Sequence, residues 1–313
     1  MITMKINKSV REFKKRMKPT IREWKFMLRR LKDSPLSIMG ATIILFFAVV
    51  AMLAPVLAPP ATDDPYRMPH EGWGRVPQPP SSEHIFGTTT GQYDVFYGCI
   101  WGTRTAFRIG FEVVGVSLAI AIVIGSISGY YGGLVDELVM RFTDIIYAFP
   151  GLILAMAFVV AFGRSLDSVL LALVLVGWPT YTRVVRGEVL KTRREDYVEA
   201  AKGVGCSDLR VIVKHVLPNS IYTVMIMASL NIGAVVLTAA ALSFLGLGAG
   251  SYYADWGQLI SNSRDYIMGT SGDTLAYWYT WLIPGLFIFT FVLGWNLLGD
   301  AFRDILDPTI RRR

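Results

Sequence analysis

The sequence predicts an all-α, polytopic integral membrane protein with six transmembrane helices. Three observations lead there. Of the 313 residues, 53% are hydrophobic and only 18% are charged, against roughly 45–50% and about 25% in an average soluble domain. The chain also holds several long apolar runs close to the ~20 residues that a helix needs to cross a bilayer. Finally, Lys and Arg are concentrated in alternate connecting segments, the pattern of a multi-span protein with basic loops on one side. The net charge of +7 is therefore ascribed to those loops, and no nucleic-acid partner is expected.

Residues 1–37 carry twelve Lys/Arg against three Asp/Glu. Phe13, Met17, Ile21, Trp24, Leu28 and Leu31 recur at helical spacing, which suits a basic amphipathic helix lying on an anionic leaflet. A disordered basic tail is the alternative. The run "IMGATIILFFAVVAMLAPVLA", Ile38–Ala58, has no charge and predicts the first transmembrane helix. The long charged segment before it favours a retained anchor over a cleaved signal peptide. Residues 59–104, rich in Pro, Gly and Ser, predict an extracytoplasmic loop.

Residues 105–310 form the core, with five further spans predicted at Thr105–Ser128, Leu138–Gly163, Leu166–Val185, Ser220–Leu247 and Trp281–Phe302. Between 183 and 218 stand eight Lys/Arg, whereas 248–279 holds only Arg264 beside three aspartates. That asymmetry places both termini in the cytoplasm, Arg311–Arg313 included, and the protein in the cell membrane as a multi-pass chain. Arg108 with Glu112 and Arg141 with Asp144 have the spacing of same-face ion pairs, which lower the cost of charge near span ends.

Catalytic signatures are missing. The sequence contains no HExxH, GxSxG or GxxxxGK[ST], so neither a metal site, nor a serine nucleophile, nor ATP binding by this chain is expected. Its two cysteines and three histidines are scattered. Gly246-x-Gly248-x-Gly250 follows a membrane helix with no strand before it, which reads as a turn.

The remaining polar feature is "EAAKGVGCSDLRVIVKHVLPN", Glu199–Asn219, set between two apolar runs. Ser207 is placed to cap a helix. Leu209, Ile212, Val213, Val216 and Leu217 form one apolar stripe. Thr192 and Glu195 have capping-box spacing, unless the preceding span simply continues through them. Gly205 separates two helical pieces, and Pro218 suits the first turn of the next helix. The segment reads as helix, hinge, helix: a lever joined to two spans, or else a solvated loop.

These residues resemble the EAA loop of ABC importer permeases. Glu199-Ala200-Ala201, three residues, Gly205, nine residues, then His215-x-Leu217-Pro218 matches the family pattern at its fixed sites. "GYYGGLVDELVMRFTDIIYAFPGLILA", "LSFLGLG" and "LGDAFRDILDP" resemble the C-type permease of the dipeptide/oligopeptide/nickel branch, and the likeness covers nearly everything after residue 33. It implies the type I importer permease fold and a heterodimer with a second permease. Two cytoplasmic ATPase subunits, which bind ATP and Mg, and an extracytoplasmic solute-binding protein complete the implied assembly. The chain itself would be no enzyme and hold no cofactor.

The resemblance makes 192–219 the coupling loop. Glu199, Ala200, Ala201 and Gly205 would form the ATPase-docking core, Asp208, Leu209 and Arg210 would add contacts, and His215, Leu217 and Pro218 complete the motif. Asn231 and Asn296, polar within apolar spans, are candidates for the translocation path or for helix–helix hydrogen bonds. The implied cargo is dipeptides or oligopeptides. Departures from the branch pattern GTDxxGRDV at Thr89, Gln92 and Tyr93, and the aromatic residues Tyr277, Trp278, Tyr279 and Trp281, keep oligosaccharides as an alternative. From a different class, a stand-alone channel or secondary carrier would need no ATPase.

Overall fold

A computed structural model describes residues 34–70, 72, 74, 76–269, 273 and 275–306. Residues 1–33 of the basic segment expected over 1–37, and Arg311–Arg313, lie outside the described residues; residues 34–37 cap and open α1. The described chain is helical, with only isolated β-bridges. Its helices are α1 (Pro35–Leu57), α2 (Val95–Tyr131), α3 (Gly133–Tyr147), α4 (Gly151–Phe162), α5 (Leu166–Thr192), α6 (Asp196–Gly203), α7 (Asp208–Val211), α8 (Leu217–Leu242), α9 (Trp256–Asn262) and α10 (Tyr279–Leu306). A π-type turn, Ile212–Val216, leads into α8. Among the described residues five spans, α1, α2, α5, α7 through α8, and α10, are long and apolar enough to cross a membrane.

The starts of three spans are written in their caps. The Ser34 hydroxyl accepts from Ser37 N at 3.4 Å ahead of Pro35. The Asp94 carboxylate accepts from Tyr97 N at 2.7 Å, and the Ser165 hydroxyl from Ser168 N at 3.1 Å. Each satisfies an amide that the first turn leaves unpaired.

Two expected boundaries are corrected. The span expected over Leu138–Gly163 is two helices, α3 and α4, bent by 87°. Pro150 disfavours helical backbone at Phe149 and lacks the amide that a continuous helix needs. Together the pair supplies a sixth, broken span. The loop expected over 59–104 ends instead at Asp94, so α2 runs 37 residues, about 55 Å at 1.5 Å per residue. Its first turns project beyond an apolar layer of ~30 Å; there Val95, Cys99 and Trp101 are buried.

Small residues set the helix spacing. α2 lies along α5 through Gly125 and Gly129, a G-x-x-x-G pair. A Cβ at Gly125 would stand 2.8 Å from the Thr182 carbonyl oxygen, and one at Gly129 2.8 Å from that of Arg186. Such close backbone approach is how membrane helices associate, since lipid offers no hydrophobic drive between them. An aromatic cluster closes the other side. Phe47 of α1 meets Phe291 of α10 with centroids 5.3 Å apart, Phe107 of α2 meets Phe291 at 5.1 Å, and Trp256 meets Phe287 at 5.8 Å. Ion pairing differs in part from expectation. Arg108 does reach Glu112 at 3.0 Å, and also Asp167 at 2.7 Å. Arg141 instead lies 3.7 Å from Glu137, while Asp144 pairs with Arg183 of α5.

The 59–94 loop folds onto the α8–α9 connection. Met68 N donates to Tyr252 O at 2.8 Å, Ala254 N to Tyr66 O at 2.8 Å, and Tyr66 stacks on Tyr253. Gln92 holds this loop together. Its backbone is left-handed at φ +61°, and its buried amide donates to the carbonyls of Val76 (2.7 Å) and Gly74 (3.2 Å). The side chain thus gains what a glycine at this φ would not offer. Gln92→Ala keeps the backbone cost and orphans both carbonyls, which should destabilise the loop by about 1–3 kcal/mol. Faster proteolysis within 76–94 than in wild type is the expected readout; identical cleavage kinetics would contradict it.

Candidate functional site

At the end where α5 stops and α8 starts, residues 192–219 form an ordered, projecting element. The α6 helix ends in a Schellman motif. Gly205 N donates to Lys202 O at 2.9 Å, Cys206 N donates to Ala201 O at 3.1 Å, and Gly205 takes φ +83°. Only glycine adopts that conformation without Cβ strain, which is why the hinge sits at this residue. Pro218 stands in the first turn of α8, where its missing amide costs nothing.

Burial separates two faces. Val198, Ala201, Val211, Ile212 and Val216 are buried. Val204 is 82% exposed, Leu209 72%, Val213 52% and Tyr197 44%, and Glu199, Ala200, Lys202 and Arg210 are also exposed. The expected stripe 209-212-213-216-217 therefore does not hold. Leu209 and Val213 face outward and Val211 opens the buried side. A four-residue α7 running into a π-type turn adds a residue per turn, so side chains rotate out of 3.6-residue phase. The outcome is an apolar tip, Val204 with Leu209, on a polar element. Burial first, then the nearby Glu195 charge, pushes the Tyr197 phenol up from its ordinary value, so it remains neutral.

The element is tied to more than its two flanking spans. The Tyr130 hydroxyl at the end of α2 donates to Asp208 Oδ1 at 2.6 Å, and Lys202 Nζ lies 4.7 Å above the Tyr130 ring. Arg193 donates to the carbonyls of Tyr130 (2.7 Å) and Gly129 (3.0 Å). One step further, the Asp136 carboxylate of α3 accepts from Ser128 and pairs with Arg186. Displacement of α6 or α7 thus bears on α2 and α3 as well as α5 and α8.

Several expected roles change. Asp208, expected to add docking contacts, is exposed and also accepts from the Tyr130 hydroxyl. Ser207 precedes α7 but makes no side-chain cap. No capping box joins Thr192 to Glu195, because α5 continues through Thr192 and its hydroxyl accepts from Ser220 Oγ at 3.0 Å. Ala201 is buried while Ala200 is not. His215 and Leu217 are half-buried, and the Asn219 amide donates to His215 O at 2.7 Å. Asn231 is half-buried facing the Tyr181 hydroxyl, whereas Asn296 is exposed on α10. Tyr279 is buried and Tyr277 packs edge-on against Tyr266, centroids 4.9 Å apart; neither offers a free platform for a sugar. Among the described residues, no cluster of His, Cys, Asp or Glu has the makings of a metal site.

Val204, Lys202, Arg193 and Tyr130 were not anticipated. An aliphatic residue directly before the hinge glycine was a usable sign for Val204. Tyr130, 78 residues from its partner Asp208, left none.

Residues 121–312 match the family described as binding-protein-dependent transport system inner membrane component, and residues 23–80 match the N-terminal transmembrane domain of oligopeptide transport permease C. The chain is 39% identical to the dipeptide transport system permease protein DppC of Alkalihalophilus pseudofirmus, covering 92% of this chain and 90% of that protein. It is 38% identical to the probable D,D-dipeptide transport system permease protein DdpC of Escherichia coli, covering 89% of each. The fold is similar to that in inward-facing structures of the MetNI methionine ABC transporter, with a TM-score of 0.53 and 17% identity, over 67% of this chain and 96% of that one.

Proposed function

The chain belongs to the family of binding-protein-dependent transport inner membrane components, and from that premise we propose that it forms half of the translocation pathway of an ATP-driven peptide importer. The exposed apolar tip of the 192–219 segment carries the proposal. Val204 and Leu209 stand on a rigid turn held to four helices, the arrangement a coupling lever needs. In this reading both termini are cytoplasmic, because the basic residues cluster at the end that bears this segment. Two ATPase subunits dock there and bind the ATP and Mg; this chain supplies no catalysis. A second permease completes the pathway, and a solute-binding protein docks on the far side, where the 59–94 loop lies.

ATP binding closes the ATPases and draws the two levers together, and the permeases open outward. Hydrolysis restores the inward-facing state. This is a two-state element biased by a remote ligand. Dipeptides or oligopeptides are the proposed cargo, supported by the names of the relatives. The oligosaccharide reading has no comparable support.

Gly205→Pro tests the lever. Proline at φ near −65° cannot occupy a +83° position, and the substitution also removes the Gly205–Lys202 hydrogen bond. The variant should reach the membrane but retain little ATPase on purification and show no peptide uptake. Wild-type ATPase retention and uptake would overturn the assignment.

A further inference from the structure

At the end of the bundle opposite the 192–219 segment lies a cavity of about 1390 Å³. Its walls are the 59–94 loop near Thr90, Arg164 in the turn entering α5, the glycine-rich connection after α8, and Arg264 just beyond α9. Among the described residues Leu245 and Ala249 are its only aliphatic members. One of its groups is available to a ligand: Arg164 makes no ion pair or hydrogen bond with any described residue. Arg264 is held only loosely, 3.7 Å from an exposed Asp265. Among the described residues that line it, two guanidinium groups thus face one carboxylate, which favours an anionic ligand.

The chemistry narrows the occupant. A planar guanidinium matches a carboxylate bidentately. Small-ligand sites run to about 300–1,000 Å³, so a lone inorganic anion would leave this one mostly filled with water, whereas a short peptide would occupy it. We infer that the cavity receives the transported peptide on its outer side, with Arg164 and Arg264 holding the C-terminal carboxylate. The inference rests on the peptide cargo proposed above.

The test uses the full-length chain in lipid nanodiscs and two photoreactive probes, Ala–photo-leucine–Ala as the free acid and as its C-terminal amide, with labelled peptides mapped by mass spectrometry. The acid should label 90–93 or 245–266 about tenfold more than the amide, the scale of one charge-assisted hydrogen bond. Arg164→Gln and Arg264→Gln should each lower acid labelling towards the amide level. The acid–amide comparison on the wild-type chain needs no variant to fold. Equal labelling by acid and amide, labelling confined to other segments, or no labelling would overturn the inference. Failure of the importer reading registers separately, as absence of co-purifying ATPase subunits; labelling that fails while ATPase is retained sinks this inference alone.

Discussion

Val204→Glu is expected to abolish ATP-driven uptake while the chain accumulates in the membrane at its wild-type level. Val204 is 82% exposed, so the fold loses almost no packing when it changes, and an exposed substitution of this kind costs within about 0.5 kcal/mol of stability. In a docked complex the same side chain would be covered. Burying a valine contributes about 1.5–3 kcal/mol, and glutamate there forfeits that while bringing an unpaired charge into the contact. A loss of even ~3 kcal/mol lowers affinity more than a hundredfold. Leu209→Glu, at 72% exposure, should behave alike. Purification through the chain, with co-eluting ATPase quantified against wild type, separates docking from folding. Normal co-elution of both variants would mean that the tip contacts nothing, and the lever reading would fall with it.

Gly125→Leu should have the opposite character, removing folded protein instead of coupling. At Gly125 a Cβ alone would stand 2.8 Å from both the Thr182 carbonyl oxygen and the Val185 Cβ. Backbone cannot yield locally, so α2 and α5 must separate. Overpacking in a close-packed interior costs about 1–3 kcal/mol, and this pair makes the most extensive helix contact among the described residues. Gly115→Leu is the control, since Gly115 lies on the same helix and a Cβ there would meet nothing within 4 Å. Thermal ramps of both variants, read by the monodisperse fraction on size exclusion, should show Gly125→Leu collapsing well below wild type and Gly115→Leu matching it. Equal behaviour of the two would show that α2 and α5 do not approach as closely as described.

Much of the architecture was legible because its signals are local. Apolar run length marked the spans, Pro218 and Gly205 marked a helix start and a hinge, and the Glu199–Pro218 spacing pointed to the family. The break at Phe149–Pro150 was also legible in principle, but apolar residues on both sides of it masked a proline that should have ended the helix. The buried face of 208–217 was misread for a different reason. A 3.6-residue stripe presumes uninterrupted α-helix, and a π-type turn carries no distinctive composition.

By itself the sequence determined the membrane class, the approximate placing of most spans and the family resemblance carried by the segment between α5 and α8, since all three depend on residue type and short-range spacing. Tertiary structure alone decided that Asp208 is tied to Tyr130, that Val204 and Leu209 form the outward tip, that Gln92 stitches the 59–94 loop, and that Arg164 and Arg264 face one cavity. Each of those depends on which distant segments meet and which atoms stay in contact with solvent. A contact such as Tyr130 with Asp208, 78 residues apart, is set by the packing of whole helices, and no local pattern of residues encodes it.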